Sequence, residues 1–165
     1  MRGMNTEDSA VHFATAARAH LAFATQDLQR GIAFYSALLQ QAPTKVRPDY
    51  AKFEVAEPPL NLTLNLASNV TVPEGPEHFG IQVKSKAEVQ RRASAMGTAG
   101  EAGAPEEAVT CCYAVQDKVW FQDPEGRRWE VFVVLEADTA VHSEPKETAS
   151  ASEDAAACCA PTCCQ

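Results

Sequence analysis

At 165 residues, with 45% hydrophobic residues, the chain has room for one domain with a core of its own. No apolar run approaches the roughly 18 residues that cross a bilayer, and the N-terminus lacks the apolar stretch of a secretory signal. A formal net charge of −8 argues against nucleic acid or anionic membrane as partners, since both select a basic face, so the chain reads as soluble and cytoplasmic.

Residues 1–17 show no periodicity and are expected to form a flexible leader. AHLAFAT (19–25) then reads as a short strand. The helix that follows has Leu28, Ile32, Tyr35 and Leu39 at helical spacing. YAKFEVA and LNLTLNL alternate as strands around the turn signal EPPL. The order then recurs. EHFGIQV is a strand, and Ser85 with Glu88 forms a capping box opening the helix SKAEVQRRASAMG, with Gly97 expected in the C′ role. CYAVQDKVWFQ and RRWEVFVVL are strands joined by the DPEG turn. TAGEAGAPEEAVT, rich in Gly and Ala, is expected to be a mobile lid. From 137 to 165 the composition turns to Ala, Ser and Glu and ends in CCAPTCCQ, a disordered Cys-rich tail. The folded domain is therefore expected over 18–136, as two modules at about 19–66 and 78–135.

His20 and His78 hold the same place in the first strand of each copy, 58 residues apart (78 − 20). Side chains alternate across a strand, so His20 shares a face with Ala22 and Ala24, and His78 with Gly80 and Gln82. Leu21, Phe23, Phe79 and Ile81 point the other way, under the helices. In the last strand Trp129, Val131 and Val133 form one face and leave Glu130 on the other, with Phe132. A glutamate in so apolar a strand is costly to bury unless paired or metal-bound. Two histidines and one carboxylate form the facial triad of non-haem Fe(II). The first copy offers only Asn61 or Thr63 where the second has Glu130, so three ligands are expected. On spacing alone the alternative stays open that the histidines are structural and that Glu130 pairs with Lys118 or an arginine. His12 and His142 fall in the tails and are read as solvated.

Six cysteines occur as three adjacent pairs, 111–112, 158–159 and 163–164. A reducing cytosol disfavours disulfides, and paired thiols there suit soft metals or metalloids. On the residues alone Cys111 and Cys112 read slightly better as two small buried strand residues. Tyr113, Trp120 and Trp129 read as core or pocket wall.

The βαβββ duplication with these histidines resembles the vicinal-oxygen-shield superfamily, which includes glyoxalase I, extradiol dioxygenases and fosfomycin-resistance proteins. The run TCCYAVQDKVWFQDPEGRRWEVF, with FYSALLQQAPTKVRPDYAKFEVAEPPLNLTL and HFGIQV, is similar more narrowly to the C–As lyase family (ArsI) and its cadmium-induced relatives (CadI). The likeness covers nearly all of residues 19–135. It implies an α+β fold of two βαβββ modules forming a concave mixed sheet around a metal site. It also implies an Fe(II)- and O₂-dependent enzyme that breaks the carbon–arsenic bond of trivalent organoarsenicals such as methylarsenite and aromatic arsenicals, releasing arsenite. By that likeness His20, His78 and Glu130 hold the iron, and Cys111 and Cys112 bind the arsenic. Some relatives of that family carry glutamine at the first ligand position, so His20 favours the iron-binding form. The cadmium-induced relatives imply an alternative, a heavy-metal-binding protein without turnover. Assembly as monomer or homodimer stays open. Cys158, Cys159, Cys163 and Cys164 receive no assigned role.

Overall fold

The computed structural model describes residues 11–111 and 113–137. Residues 11–18 run irregularly, with the Arg18 guanidinium 4.5 Å over the Phe13 ring. Ten elements follow: β1 (Ala19–Thr25), α1 (Leu28–Leu39), β2 (Lys45–Arg47), β3 (Tyr50–Val55), β4 (Leu60–Leu66), β5 (Phe79–Gln82), α2 (Lys86–Thr98), β6 (Ala104–Cys111), β7 (Ala114–Gln122) and β8 (Arg128–Glu136). Two βαβββ modules are thus present. Their four-stranded sheets have the same order, β1-β4-β3-β2 and β5-β8-β7-β6. In each, the first strand pairs in parallel with the last, and the other pairs are antiparallel. Parallel pairing requires a crossover, and the helix supplies it.

The alternation read from sequence is what buries each sheet. Phe23, Phe53, Leu62 and Leu64 of the first module and Ile81, Trp129, Val131 and Val133 of the second join Phe34, Tyr35, Leu38, Val89 and Met96 of the helices in one core. The core continues between the modules: the Phe23 ring lies 5.2 Å from Phe79, and Tyr35 lies 5.8 Å from Trp129. Helix α1 opens on Asp27, whose side chain accepts from the Arg30 amide, and closes on Gln40 in the left-handed region.

Several local expectations change. Only half of the capping box forms at α2. The Ser85 hydroxyl accepts from the Glu88 amide, but the Glu88 carboxylate pairs with Arg91 and Arg92 on its own helix face. Gly97 lies inside α2, not past its end. The left-handed residue is Gly100 (φ 87°), and the Glu101 amide returns to the Met96 carbonyl. The segment expected as a lid is largely strand β6, because its backbone pairs with β7 from Ala104 to Cys111. His78 sits one residue before β5, not second within it.

Candidate active site

Cross-strand partners share a face, so register decides what meets what. In the second module Gly80 lies opposite Glu130 on β8, and Glu130 lies opposite Trp120 on β7. Phe132, two residues on, lies opposite Lys118. This face points away from α2, which packs on the side of Ile81 and Val131. The strand phase expected for Glu130 therefore holds in the backbone, on the face it shares with Gly80.

Glu130 is buried and carries two contacts. Its Oε2 accepts from Lys118 Nζ at 2.8 Å, and its Oε1 stands 3.5 Å from His78 Nε2. Lys118 itself is only 3% exposed and lies 5.2 and 5.9 Å over the Trp120 and Phe132 rings. Taking two charges from water is affordable only when they satisfy one another, and Lys118 gives Glu130 its cation. Gly80 makes room for this arrangement. A Cβ there would come within 3.1 Å of Glu130 Cγ and 3.2 Å of Oε1.

Both histidines are oriented the same way. His78 Nδ1 lies 2.8 Å from the Pro76 carbonyl, and His20 Nδ1 lies 3.0 Å from the Asn61 carbonyl. A carbonyl only accepts, so Nδ1 carries the proton in each ring and Nε2 is left to act as a ligand. Backbone carbonyls orienting a metal-binding histidine act in this way. At the His78–Glu130 contact two lone-pair-bearing atoms then face each other. Such a geometry calls for a cation or a proton between them. An imidazole nitrogen and a carboxylate oxygen are both donors that a divalent metal ion accepts, and the pair supplies two of them.

The structure brings His78 and Glu130 together and leaves His20 apart. Among the described residues, no group of three or more His, Cys, Asp or Glu side chains is close enough to hold a metal ion. His20 belongs to the other sheet, exposed on β1. The two strands are nonetheless neighbours, since Phe23 and Phe79 touch beneath them. The register also decides which residue of the first module corresponds to Glu130. Ala22, two residues past His20, lies opposite Thr63, as Gly80, two past His78, lies opposite Glu130. Thr63, not Asn61, is therefore the counterpart.

Of the thiol pair, Cys111 ends β6, its backbone paired with Ala114, and Cys112 and the Cys111 side chain lie outside the described residues. So do Cys158, Cys159, Cys163, Cys164 and His142. Two consecutive thiols can share one soft centre only off a regular strand, where side chains alternate, and Cys111 is the last residue of one. This position also sets a distance: Ala114 is six residues along β7 from Trp120, up to about 20 Å of strand. Two irregularities in pairing lie between them, at Glu106/Val109 and at Val115/Gln116, where a ladder bends. The first is held from below. Ala108 takes a φ of 50°, its amide donates to Asp117 Oδ1 at 2.8 Å, and Lys86 Nζ meets Asp117 Oδ2 at 2.7 Å.

Trp129 is core, and Trp120 is a half-buried wall of the site whose ring lies 5.0 Å from His78. Tyr113 departs from its expected role: it is 58% exposed at the β6–β7 turn, with φ 62°. A network that sequence reading missed fixes the β7–β8 turn. Tyr35 donates to Asp123 Oδ2 at 2.7 Å, and Arg127 donates to the same oxygen at 2.8 Å. Burial, then the Asp123 carboxylate, push the Tyr35 phenol above its ordinary pKa. Asp123 and Arg127 stood in a readable turn, but nothing in their spacing points to Tyr35.

The chain matches the family model of the Glyoxalase/Bleomycin resistance protein/Dioxygenase superfamily over residues 17–131. It is 41% identical over 145 residues to a protein of Thermomonospora curvata named trivalent organoarsenical cleaving enzyme, spanning 87% of this chain and 89% of that one. It is 38% identical over 144 residues to cadmium-induced protein CadI of Mycobacterium bovis, spanning 86% and 92%. Among solved structures, a glyoxalase/bleomycin resistance protein/dioxygenase of Alicyclobacillus acidocaldarius superposes with a TM-score of 0.57 at 18% identity, over 73% of this chain and 93% of that one. No helix among the described residues is long and apolar enough to cross a membrane.

Proposed function

The chain belongs to the Glyoxalase/Bleomycin resistance protein/Dioxygenase superfamily, and from that premise we propose that it cleaves the carbon–arsenic bond of trivalent organoarsenicals, releasing arsenite. The observation that carries this reading is the 41% identity, over 87% of the chain, to a relative named for that activity. Methylarsenite and aromatic arsenicals are the proposed substrates, with O₂ as co-substrate, and the cytoplasm is the proposed compartment. Fe(II) is the proposed metal, with His20, His78 and Glu130 as its ligands. A ferrous ion so held would supply the redox chemistry that lets O₂ attack a carbon–arsenic bond.

The chain's own residues prepare that chemistry. His78 and His20 present Nε2 because their Nδ1 protons are committed to backbone carbonyls. Lys118 fixes Glu130 and leaves Oε1 toward His78. Cys111 and Cys112 bind trivalent arsenic, a soft centre, each thiol displacing an arsenic-bound hydroxyl as water while the carbon substituent stays attached. Delivery to the His78–Glu130 pair requires the hairpin tip to bend over the site face, and the two irregularities in the β6–β7–β8 ladder are the places built for it.

The test is arsenic speciation in air with the Fe(II)-loaded protein and methylarsenite. Arsenite should form in air and not under nitrogen, and His78→Ala should weaken Fe(II) binding at least about tenfold. Absence of arsenite in air would end the reading. The identity to CadI favours one second reading, a thiol-rich protein that binds soft metals without turnover. The same assay separates the two, since that protein would retain methylarsenite and release nothing.

A further inference from the structure

A cleft of about 700 Å³ opens at the end of the second sheet, lined among others by Arg30, Glu101, Trp120, Gln122, Asp123 and Arg128. Trp120 is common to this cleft and to the candidate metal site. It lies opposite Glu130 in register, and its ring is 5.0 Å from His78. Gln122 and Arg128 pair one rung further along the same face. Trp120 thus links the cleft to the His78–Glu130 pair.

Its charges are unevenly committed. Asp123 is already satisfied by Tyr35 and Arg127. Arg128 forms no ion pair with a described residue. Its guanidinium lies instead 4.6 Å over the Trp120 ring, a contact that uses none of its N–H donors, and the residue lines the cleft. Arg30 also forms no ion pair with a described residue, so two cations face the single uncommitted carboxylate of Glu101. The Trp120 Nε1–H is buried and has no hydrogen-bond partner. An unmade bond at a buried donor is costly, and a ligand oxygen placed there would remove the cost.

We infer that this cleft is the subsite for the organic group of the substrate, and that it selects aryl arsenicals carrying an anionic ring substituent. The inference rests on the function proposed above. With arsenic at the His78–Glu130 pair, a ring attached to it would run along Trp120, and a para carboxylate would reach Arg128, with Arg30 at the rim. A methyl group would reach none of these. Arg128 is thus a specificity residue, and Trp120 is both the wall and the ring against which Arg128 rests.

The test compares three arsenicals, 4-carboxyphenylarsenite, phenylarsenite and methylarsenite, on the parent and on Arg128→Ala and Arg128→Lys. The ratio of kcat/KM for the carboxyphenyl compound to that for phenylarsenite should fall roughly tenfold in Arg128→Ala, the loss of one charge-assisted contact. Arg128→Lys should recover part of it, and the parent's ratio should shrink with added salt. Equal losses on all three substrates, or a ratio that neither variant nor salt alters, would overturn the subsite. Calorimetric binding of the same compounds without iron separates the two claims. Arg128-dependent preference without turnover keeps the subsite and defeats the enzyme, while turnover with no such preference does the reverse.

Discussion

The two modules share one topology and little else. At equivalent register positions the first has Ala22, Thr63 and Lys52 where the second has Gly80, Glu130 and Trp120. The first holds most of the large side chains with almost no exposure: Phe34, Tyr35, Leu38, Phe53, Leu62 and Leu64, against Met96 and Val131 in the second. Its ladders run without a register shift, whereas β6–β7 and β7–β8 are each interrupted. Buried charges concentrate in the second: Asp117, Lys118, Asp123 and Glu130. The same scaffold carries most of the tight apolar packing in one half and most of the buried charge in the other. Function resides in the side chains and irregularities grafted on the fold, not in the fold itself.

The strongest way to break that contrast is to make the second half resemble the first. Glu130→Thr installs the residue of the equivalent position. It should abolish arsenite release and cost about 3–5 kcal/mol in urea unfolding, because buried Lys118 loses its carboxylate. A variant that kept its metal affinity would show that Glu130 belongs only to the ion pair.

That dual role shows how far the sequence could be read. Glu130 stood out because a charge interrupted an alternating apolar strand, and Lys118 was already nameable as its partner. The register of β1 on β4 was needed to choose Thr63 over Asn61 as its counterpart. The unread strands, β2 and β6, are both sheet edges. Edge strands bury less and tolerate charge and proline, so KVR and APEEAVTC carry no alternation to detect. Gly97 misled because a glycine near a helix end resembles a cap, although the chain turns at Gly100. The Tyr35–Asp123 bond joins residues 88 apart, and no local pattern encodes such a pair.

A smaller change sharpens the contrast from the other side. Tyr35→Phe removes the first half's contribution to the Asp123 network. It should lower unfolding free energy by about 1.5 kcal/mol, the low end for a lost bond to a charged group, since Arg127 and two backbone amides still satisfy Asp123. Iron affinity should not change, and a measured loss would mean that the Asp123 network reaches into the site.

The smallest effect is one of pH. Burial alone would raise the Asp117 carboxyl, but the ion pair with Lys86 and the Ala108 amide together hold it below its ordinary value. A depressed folded-state pKa gives stability that is present above about pH 4, the unfolded value, and is lost as pH falls through the folded one. Urea unfolding between pH 6 and 2 should therefore show a steeper acid decline for the parent than for Asp117→Asn. Superimposable declines would mean that the bulge at Ala108 is not held through this carboxylate.

The turn at 123–127 has a consequence for how the molecule closes. Its Glu125 accepts from the Thr25 hydroxyl and the Gln26 amide, and its Arg127 donates to the Ala24 carbonyl. The second half thus grips the end of β1 and, through Tyr35, the first helix. Chains made of two like halves are prone to trade them between copies. Here a traded half would have to rebuild the whole grip from bulk solution, whereas residues 67–78 tether the native partner at an effective concentration of order millimolar. Below that concentration the tether favours each chain closing on itself, and an approach of His20 to the His78–Glu130 pair within one chain is a first-order event, indifferent to dilution.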